Sequence, residues 1–259
     1  MINYDLKPNQ IEGIDYALKH HYSIIGDAMG LGKTLQAIEV IKRTGLKALI
    51  VCPASLRHTW VGEIKKFSEL STHIYKKGSA YGSADVTIIS YSSLNNAEEL
   101  FRRVDIVIGD EIHYGKNPEA KRTMYLHEMI RRYKPERFIG LSGTAIKNRV
   151  PEFYSLLLLC SYNPRGTSGE DIRTCYHSYW DFCRAFCNVV QFRMQGRTIT
   201  KFEGHKNMDR FRELKEFKYI RRRASEVLDL PPLTRKDIIL NDTSVDEELL
   251  QAWNDGKTF

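Results

Sequence analysis

The sequence predicts an α/β fold in which helices cover both faces of a parallel β-sheet. Over the first 160 residues, short apolar runs rich in valine and isoleucine alternate with helix-like stretches. The apolar runs are nearly continuous rather than alternating, which is typical of strands that are buried on both faces. The chain of 259 residues, 42% of them hydrophobic, is long enough to bury such a core.

Five strands and four helices follow from these patterns. The predicted strands are Tyr22–Ile25, Ala48–Cys52, Val86–Ser90, 105–108 and Arg137–Leu141. Between them, apolar residues recur at three- or four-residue steps, which is the spacing of one helix face. The predicted helices are 34–43, 56–67, 122–132 and 152–160. In the second of these, the helical spacing of Trp60 favours core packing over contact with a ligand.

The pattern changes after residue 160. Residues 161–169 carry a loop signal, and residues 176–186 are dense in aromatic side chains that favour a core over a base-stacking surface. The rest is predicted as a hairpin with strands 189–193 and 197–202, a basic amphipathic helix 207–223 stopped by the prolines of 230–232, and a strand 234–240. We therefore predict a core lobe over 1–160, an insertion or appendage over 161–233 and an exit segment over 234–259.

The charge and cysteine content leave several classes open. The net charge of +7 suits a polyanionic partner, although solvated helix faces explain the basic runs at 121–137 and 221–223 equally well. Five cysteines without a Cys-x-x-Cys pair indicate neither a disulfide framework nor a zinc ribbon. Cys183 and Cys187 with nearby His177 leave a metal site as an alternative to buried thiols. No long apolar window or signal-peptide core occurs, so we expect an intracellular protein without membrane contact.

A glycine-rich segment, Gly-Asp-Ala-Met-Gly-Leu-Gly-Lys-Thr, follows the first predicted strand and opens a predicted helix. Gly30 and Gly32 let backbone N–H groups approach phosphates closely, and the helix N-terminus adds partial positive charge. Lys33 can reach the β- and γ-phosphates, and the Thr34 hydroxyl can ligate magnesium. The first glycine of the strict phosphate-loop pattern is replaced by Asp27.

Two adjacent carboxylates, Asp110 and Glu111, follow another buried strand, with Asp110 placed 77 residues after Lys33. In open α/β sheets, ligands bind at the carboxyl ends of the strands. One carboxylate can hold magnesium while the next polarises an attacking water molecule, which is most of what phosphoryl transfer requires. The two segments together therefore predict a phosphoryl-transfer site.

These segments resemble superfamily 2 nucleic-acid motors, and within them the Swi/Snf-type double-stranded-DNA translocases. The phosphate loop of that family typically reads Asp-Glu-Met-Gly-Leu-Gly-Lys-Thr, so Asp27 matches and Ala28 departs. The second segment, Asp-Glu-Ile-His, is similar to the family's Asp-Glu-Ala-His motif. Further resemblances are the adenine-reading segment 6–10, motif Ia at 53–56, motif Ib at 90–91, motif III at 141–148 with Ala145 in place of proline, and the closing element of the first lobe at 220–232.

The resemblance implies a role for each matched position. Lys33, Asp110 and Glu111 would be catalytic, with Glu111 as general base, and Thr34 and Asp110 would hold magnesium. ATP would be bound by Gln10, Asp27, Met29, Gly30, Leu31, Gly32, Lys33 and Thr34. His113, Ser142 and Thr144 would couple this site to DNA, and Ser55, Arg57, Ser90, Tyr91 and Asn148 would contact DNA.

The fold implied by the resemblance is a RecA-like phosphate-loop NTPase lobe, and the implied function is an ATP-dependent DNA helicase or translocase. The chain would be its ATP-binding first lobe, a monomer acting on duplex, forked or branched DNA in a bacterium, a phage-infected host or a nucleus. A second RecA-like lobe, absent from this chain, would supply arginine fingers, so the fragment alone would be weakly active or inactive. Its compact lobe is similar to fork-remodelling and branch-migrating members. The alternatives are a nucleotide-gated DNA-binding module without catalysis and an RNA helicase.

Overall fold

The computed structural model describes residues 4–76, 82–143, 150–165, 171–194, 197–216 and 218–228. Within these ranges the chain forms a seven-stranded sheet flanked by helices, and a separate two-stranded hairpin. The predicted α/β fold with a parallel sheet is therefore confirmed. No helix in these ranges is long and apolar enough to cross a membrane.

The main sheet has the strand order β3-β4-β2-β5-β6-β1-β9, and all of its neighbouring strands run parallel. Its strands are β1 Tyr22–Ile25, β2 Ala48–Cys52, β3 Thr72–Ile74, β4 Val86–Ser90, β5 Ile106–Gly109, β6 Arg137–Leu141 and β9 Tyr219–Ile220. The hairpin consists of β7 Asn188–Met194 and β8 Arg197–Glu203, paired antiparallel, which confirms the predicted hairpin.

Ten α-helices lie in the described ranges, together with three short 3₁₀ helices. The α-helices are α1 Pro8–Lys19, α2 Lys33–Thr44, α3 Arg57–Phe67, α4 Glu98–Phe101, α5 Lys121–Tyr133, α6 Pro151–Cys160, α7 Ile172–Cys175, α8 Tyr179–Phe186, α9 Met208–Glu216 and α10 Ala224–Val227. Among the elements that were not predicted from the sequence are helix α1 and the short strand β3. The first begins at a proline, which is a helix-start signal, and the second has only three half-buried residues.

Successive residues of the central strands enter two different cores. Ile25 and Ile50 pack with the apolar residues of α1, α2 and α3. Their neighbours Ile24 and Leu49 pack with the apolar residues of α5, α6 and α8. Because side chains alternate across a strand, burial of both faces favours apolar residues at most positions. This is the physical reason for the continuous apolar runs in the sequence.

The predicted helix over 207–223 is wrong in its second half. Helix α9 ends at Glu216, and Tyr219 and Ile220 form β9, which pairs in parallel with β1. That pairing satisfies the backbone of β9 and buries Tyr219 against the core, which outweighs the basic helical pattern. Arg222 does not lie on a solvated helix face, since its side chain is only 10% exposed. The predicted strand 234–240 and the stop at 230–232 lie outside the described residues.

The aromatic residues after 160 belong to the core, as predicted. Phe182 and Phe186 are buried and lie edge-to-face with ring centroids 4.9 Å apart, whereas Trp180 is 48% exposed.

Cys183 and Cys187 are buried beside these rings, and burial raises the pKa of Cys183 to about 12, as expected of an unreactive thiol. In the described part of the chain, no three His, Cys, Asp or Glu side chains are grouped to hold a metal ion. The domain boundaries at 160 and 233 remain predictions.

We expect Phe182→Ala to lower the free energy of unfolding by about 3–5 kcal/mol, because it removes a fully buried aromatic ring. Trp180→Ala, in the same helix but half exposed, should cost less than about 1.5 kcal/mol. Urea unfolding followed by circular dichroism measures both changes. Equal losses in the two variants would contradict the placement of this helix on the core.

Candidate active site

A cavity of about 410 Å³ lies at the carboxyl ends of β1 and β5. Eight of the predicted site residues meet around this cavity. They are Gln10, Met29, Gly30, Gly32, Lys33, Thr34, Asp110 and Glu111. A larger cavity of about 780 Å³ lies against α9 and contains none of the predicted site residues. The smaller cavity is therefore the candidate active site.

The phosphate loop connects β1 to α2, and two glycines determine its shape. Gly30 and Gly32 have φ angles of 84° and 78°, in the left-handed region that disfavours side chains. The backbone conformation requires glycine at position 32, and a Cβ there would also displace the side-chain amide of Gln10, whose Nε2 would lie 2.3 Å away. The loop thus brings the N-terminus of α2, with its unpaired backbone N–H groups, to the cavity.

Lys33, the first residue of α2, points back into the phosphate loop. Its Nζ donates hydrogen bonds to the carbonyl oxygens of Asp27 and Ala28 at 2.8 and 3.1 Å. Burial lowers the pKa of Lys33, and the charges of Asp27, Glu111 and Asp110 oppose that shift. A phosphate entering the loop would therefore meet a partly desolvated ammonium group that is already positioned.

Asp110 follows β5, and its carboxylate is held from two directions. Nε1 of Trp60 donates to Oδ2 at 2.8 Å, and the backbone N–H of Glu111 donates to Oδ1 at 2.9 Å. Burial raises the pKa of Asp110, and the charge of Glu111 adds to the rise, whereas the Trp60 hydrogen bond opposes it. The carboxylate is thus oriented but disfavoured as an anion, and a cation beside it would relieve that penalty.

Glu111 has a left-handed backbone with φ of 49°, which costs a non-glycine residue about 1 kcal/mol or more. This conformation begins the 3₁₀ turn Ile112–Gly115. One side-chain oxygen, Oε2, lies 3.0 Å from Nδ1 of His113. The predicted coupling residue His113 therefore directly contacts the predicted general base.

Ser90 and Tyr91, predicted as DNA contacts, have their side chains inside the protein. Tyr91 is 6% exposed, and its hydroxyl donates to the carbonyl oxygen of Asp110 at 2.9 Å. Ser90 is 3% exposed, and its hydroxyl lies 2.9 Å from those of Ser92 and Ser93. Both side chains support the turn after β4, because Ser90 ends a strand that is buried on both faces and Tyr91 begins the 3₁₀ turn that follows it. The expected DNA contact is corrected for the side chain of Ser90, whereas the ring of Tyr91 also lines the cavity described next.

Another cavity, of about 770 Å³ and called the second cavity below, lies next to the turn that carries Asp110 and Glu111. It is lined by Ser55 together with Tyr91, Tyr114, Lys121 and Arg122. The rings of Tyr91 and Tyr114 are stacked with centroids 5.6 Å apart, and the guanidinium of Arg122 lies 5.3 Å from the centroid of Tyr114. The wall of this cavity is thus cationic and aromatic.

Asp27 and Leu31, predicted to bind ATP, do not line the active-site cavity. The carboxylate of Asp27 is fully buried and ion-paired with Arg222, with 2.5 Å between Oδ2 and Nη2. Leu31 is 2% exposed, and its carbonyl accepts a hydrogen bond from Nδ2 of Asn9 at 3.3 Å. Both side chains support the phosphate loop from its buried side, so the expected contact of these side chains with ATP is corrected. Contact of their backbone groups with ATP stays a prediction.

The turn after β6 closes the cavity from the side of motif III. Ser142 is 1% exposed, and its backbone N–H donates to the carbonyl oxygen of Ile25 at 3.1 Å. A Cβ on Gly143 would lie 3.1 Å from Nζ of Lys33, so this backbone directly adjoins the lysine. Thr144 and Asn148 lie outside the described residues, and their roles remain predictions.

The oxygen groups in the cavity fit magnesium. The hydroxyl of Thr34 and the carboxylate of Asp110 line the same space. Magnesium in nucleotide sites is bound by one or two such oxygen ligands together with water and phosphate oxygens. These two residues would therefore hold the ion.

Sequence reasoning missed two contributors to the site. Trp60 is buried, as predicted, but its indole N–H also orients Asp110. The signal available was that a buried indole needs a hydrogen-bond acceptor. Arg222 neutralises Asp27, and the signal was that a buried carboxylate needs a cation. No spacing in the sequence indicates which of the 39 lysines and arginines that cation is.

Residues 9–258 match the SNF2-related domain. The chain belongs to this family. This SNF2-related chain is 31% identical over 251 residues to the mouse protein "DNA annealing helicase and endonuclease ZRANB3", covering 90% of the chain and 22% of that protein. It is 33% identical over 187 residues to the "TATA-binding protein-associated factor mot1" of Aspergillus fumigatus, covering 60% of the chain and 10% of that protein. The chain thus spans a small part of the length of these relatives.

Solved structures show the same fold. The "Sulfolobus solfataricus SWI2/SNF2 ATPase core in complex with dsDNA" superimposes with a TM-score of 0.66 at 23% identity, covering 89% of this chain and 47% of that one. The "UvsW helicase from Bacteriophage T4" gives a TM-score of 0.51 at 14% identity, covering 62% of this chain and 59% of that one. The resemblance to the first RecA-like lobe of a Swi/Snf-type ATPase core is confirmed.

We expect Trp60→Phe to raise the pKa of Asp110 further, because phenylalanine keeps an aromatic ring at this position but lacks the N–H that stabilises the carboxylate. Asp110 then becomes protonated at higher pH. As the solution is acidified, magnesium-dependent nucleotide affinity should therefore begin to fall at a higher pH than in the wild type. Carbon-13 NMR of the carboxyl groups and the pH profile of nucleotide affinity measure the two effects.

The matched control is Trp180→Phe, which changes a half-exposed tryptophan of α8 that is absent from the lining of the active-site cavity. It should leave both profiles unchanged. An unchanged titration of Asp110 in Trp60→Phe would show that the indole does not stabilise this carboxylate.

Proposed function

We propose that this SNF2-related chain is the ATP-binding lobe of a DNA-dependent ATPase that moves along duplex or branched DNA. The observation that carries the proposal is the meeting of the phosphate loop, Lys33 and the two carboxylates around one cavity. Phosphoryl transfer needs this set of positioned charges and little else from the protein. A second RecA-like lobe would complete the motor, and the protein would act inside the cell.

Each residue of the cavity has a proposed role. Lys33 and the N-terminal N–H groups of α2 bind the β- and γ-phosphates. Thr34 and Asp110 hold magnesium, which neutralises phosphate charge when bound. Glu111 orients the attacking water and accepts its proton. His113 holds Glu111 in place through the 3.0 Å contact described above.

Gln10 is proposed to select the base of the nucleotide. Its Oε1 accepts a hydrogen bond from the backbone N–H of Lys7 at 2.9 Å, which fixes the amide. A Cβ on Gly32 would lie 2.3 Å from Nε2, so the amide adjoins the phosphate loop. A fixed donor and acceptor at the cavity rim can distinguish adenine from other bases by hydrogen bonding.

Contact with DNA is proposed for the cationic and aromatic second cavity. Ser55 is exposed at its rim, and Lys121 and Arg122 supply positive charge. Arg57, two residues after Ser55, is half-buried, and its Nε donates to the carbonyl oxygen of Ala54 at 3.1 Å. The net charge of +7 and the structural relative in complex with dsDNA support this partner.

We expect Lys33→Ala to weaken binding of magnesium–ATP strongly and to abolish turnover, because the only described lysine lining the cavity is lost. Glu111→Gln should bind ATP like the wild type while turnover falls by about 100-fold or more, because the base is lost and the shape is retained. Steady-state ATPase of a protein that also contains the second lobe, and equilibrium binding of ATPγS, measured with duplex DNA, single strands and RNA, separate the two effects.

Lys65→Ala, on the exposed surface of α3, is the control and should behave like the wild type. Normal turnover in Lys33→Ala would overturn the assignment of the cavity. Unchanged turnover in Glu111→Gln would remove Glu111 as the base, and stimulation by RNA alone would replace the DNA motor with an RNA motor.

We expect Arg57→Gln to weaken duplex binding and to reduce the slope of log affinity against log salt concentration by about 0.9, the effect of losing one phosphate contact. Arg131→Gln, an exposed arginine of α5, is the matched control and should leave the slope unchanged. Fluorescence anisotropy over a salt series measures the slopes. Identical slopes for Arg57→Gln and the wild type would exclude Arg57 from the DNA contact.

A further inference from the structure

Arg222 stands where the chain leaves β9, beside the phosphate loop. Because β9 and β1 run parallel, the residues that follow the two strands emerge at the same edge of the sheet. Backbone hydrogen bonds continue past the strand ends: the N–H of Gly26 donates to the carbonyl of Ile220 at 2.8 Å, and that of Ala28 donates to the carbonyl of Arg222 at 3.0 Å. A segment almost 200 residues later in the chain therefore pairs directly with the loop.

The guanidinium group of Arg222 forms a bidentate ion pair with the carboxylate of Asp27. Nε donates to Oδ1 at 2.9 Å and Nη2 donates to Oδ2 at 2.5 Å. The backbone N–H of Arg222 donates to Oδ1 at 3.1 Å, and Nε2 of Gln36 donates to Oδ2 at 3.2 Å. Both oxygens of a fully buried carboxylate are thus satisfied, and its charge is neutralised.

The same guanidinium also ties the loop to the two helices behind it. Nη1 donates to the carbonyl of Asn9 and, at 3.1 Å, to the carboxylate of Glu12, both in α1. Nη2 lies 3.3 Å from Oε1 of Gln36 in α2. A Cβ on Gly13 would lie 2.6 Å from Nη2, so this glycine leaves the space that the guanidinium occupies. An ammonium group lacks the planar fork needed for these simultaneous contacts.

The contacts of Arg222 affect the nucleotide site through the backbone of the phosphate loop. Arg222 binds the carboxylate of Asp27 and, through its own carbonyl oxygen, the backbone N–H of Ala28. The backbone carbonyl oxygens of these same two residues accept the hydrogen bonds from Lys33. We propose that Arg222 is a positioning residue for nucleotide binding, which keeps the phosphate loop and Lys33 in the arrangement that receives phosphate. This inference rests on the proposed binding of ATP in the cavity.

Coupling between two sites acts in both directions. If the segment that carries Arg222 orders the loop, then a nucleotide in the loop must stabilise the contacts between them. The backbone N–H groups of Gly26, Ala28 and Arg222 make those contacts. Their hydrogen exchange should therefore slow when nucleotide binds.

The test compares binding of magnesium–ATPγS to the wild-type chain and to three variants. Arg222→Gln should weaken the affinity for magnesium–ATPγS at least tenfold. Arg222→Lys should restore only part of this affinity, because lysine has the positive charge but lacks the planar guanidinium group. Arg223→Gln is the matched control: its side chain is 74% exposed, and it should bind within twofold of the wild type. Circular dichroism without nucleotide establishes that each variant is folded.

Hydrogen exchange of the wild-type chain, with and without magnesium–ATPγS, gives a second measurement that does not depend on the variants folding. Slower exchange at Gly26, Ala28 and Arg222 is expected, and no change would overturn the inference. Wild-type affinity in folded Arg222→Gln would overturn it as well, while leaving the proposed function intact. A wild-type chain that binds no nucleotide would overturn both.

Discussion

The parallel pairing of β1, β6 and β5 is the constraint on which the site depends. Because these adjacent strands point the same way, the turns that follow them emerge at one edge of the sheet. The phosphate loop, the Asp110–Glu111 turn and the Ser142–Gly143 turn are far apart in the sequence, yet they surround one space. An antiparallel neighbour would have placed the carboxylates at the opposite edge from Lys33.

Burial then determines the electrostatics of that space. It lowers the pKa of Lys33 and raises the pKa of Asp110, so each group is shifted toward its neutral form. Falling pH removes the charge of Asp110, and rising pH removes the charge of Lys33. A nucleotide phosphate beside the ammonium and a divalent cation beside the carboxylate would stabilise both charged forms, which is why the cavity suits a magnesium–nucleotide complex.

Local patterns were sufficient to predict much of this protein. The buried strands, the phosphate loop and the paired carboxylates are each encoded within about ten consecutive residues, where apolar periodicity and glycine position carry the information. The fold class, the phosphate-loop residues and the two carboxylates of the cavity could therefore be predicted from local patterns, whereas Gln10 and Met29 were predicted only from the family resemblance.

What could not be predicted depends on contacts between distant segments. Tyr219 and Ile220 read as the end of a basic helix, and only their pairing with β1 makes them a strand. The buried position of Tyr91 and the contacts of Trp60 and Arg222 depend on packing across the sheet, which no sequence spacing reveals. The errors at Asp27 and Ser90 have the same origin, because matched motif positions do not specify whether a side chain faces the ligand or the protein interior.

The most direct test of the account is a calorimetric titration of this chain with ATPγS in the presence and absence of magnesium. The account predicts saturable binding at one site per chain, with clearly lower affinity when magnesium is removed, because Thr34 and Asp110 would then lack the ion that joins them to the phosphates. Absence of saturable binding, or an affinity that does not depend on magnesium, would contradict the assignment of this cavity as a magnesium–nucleotide site.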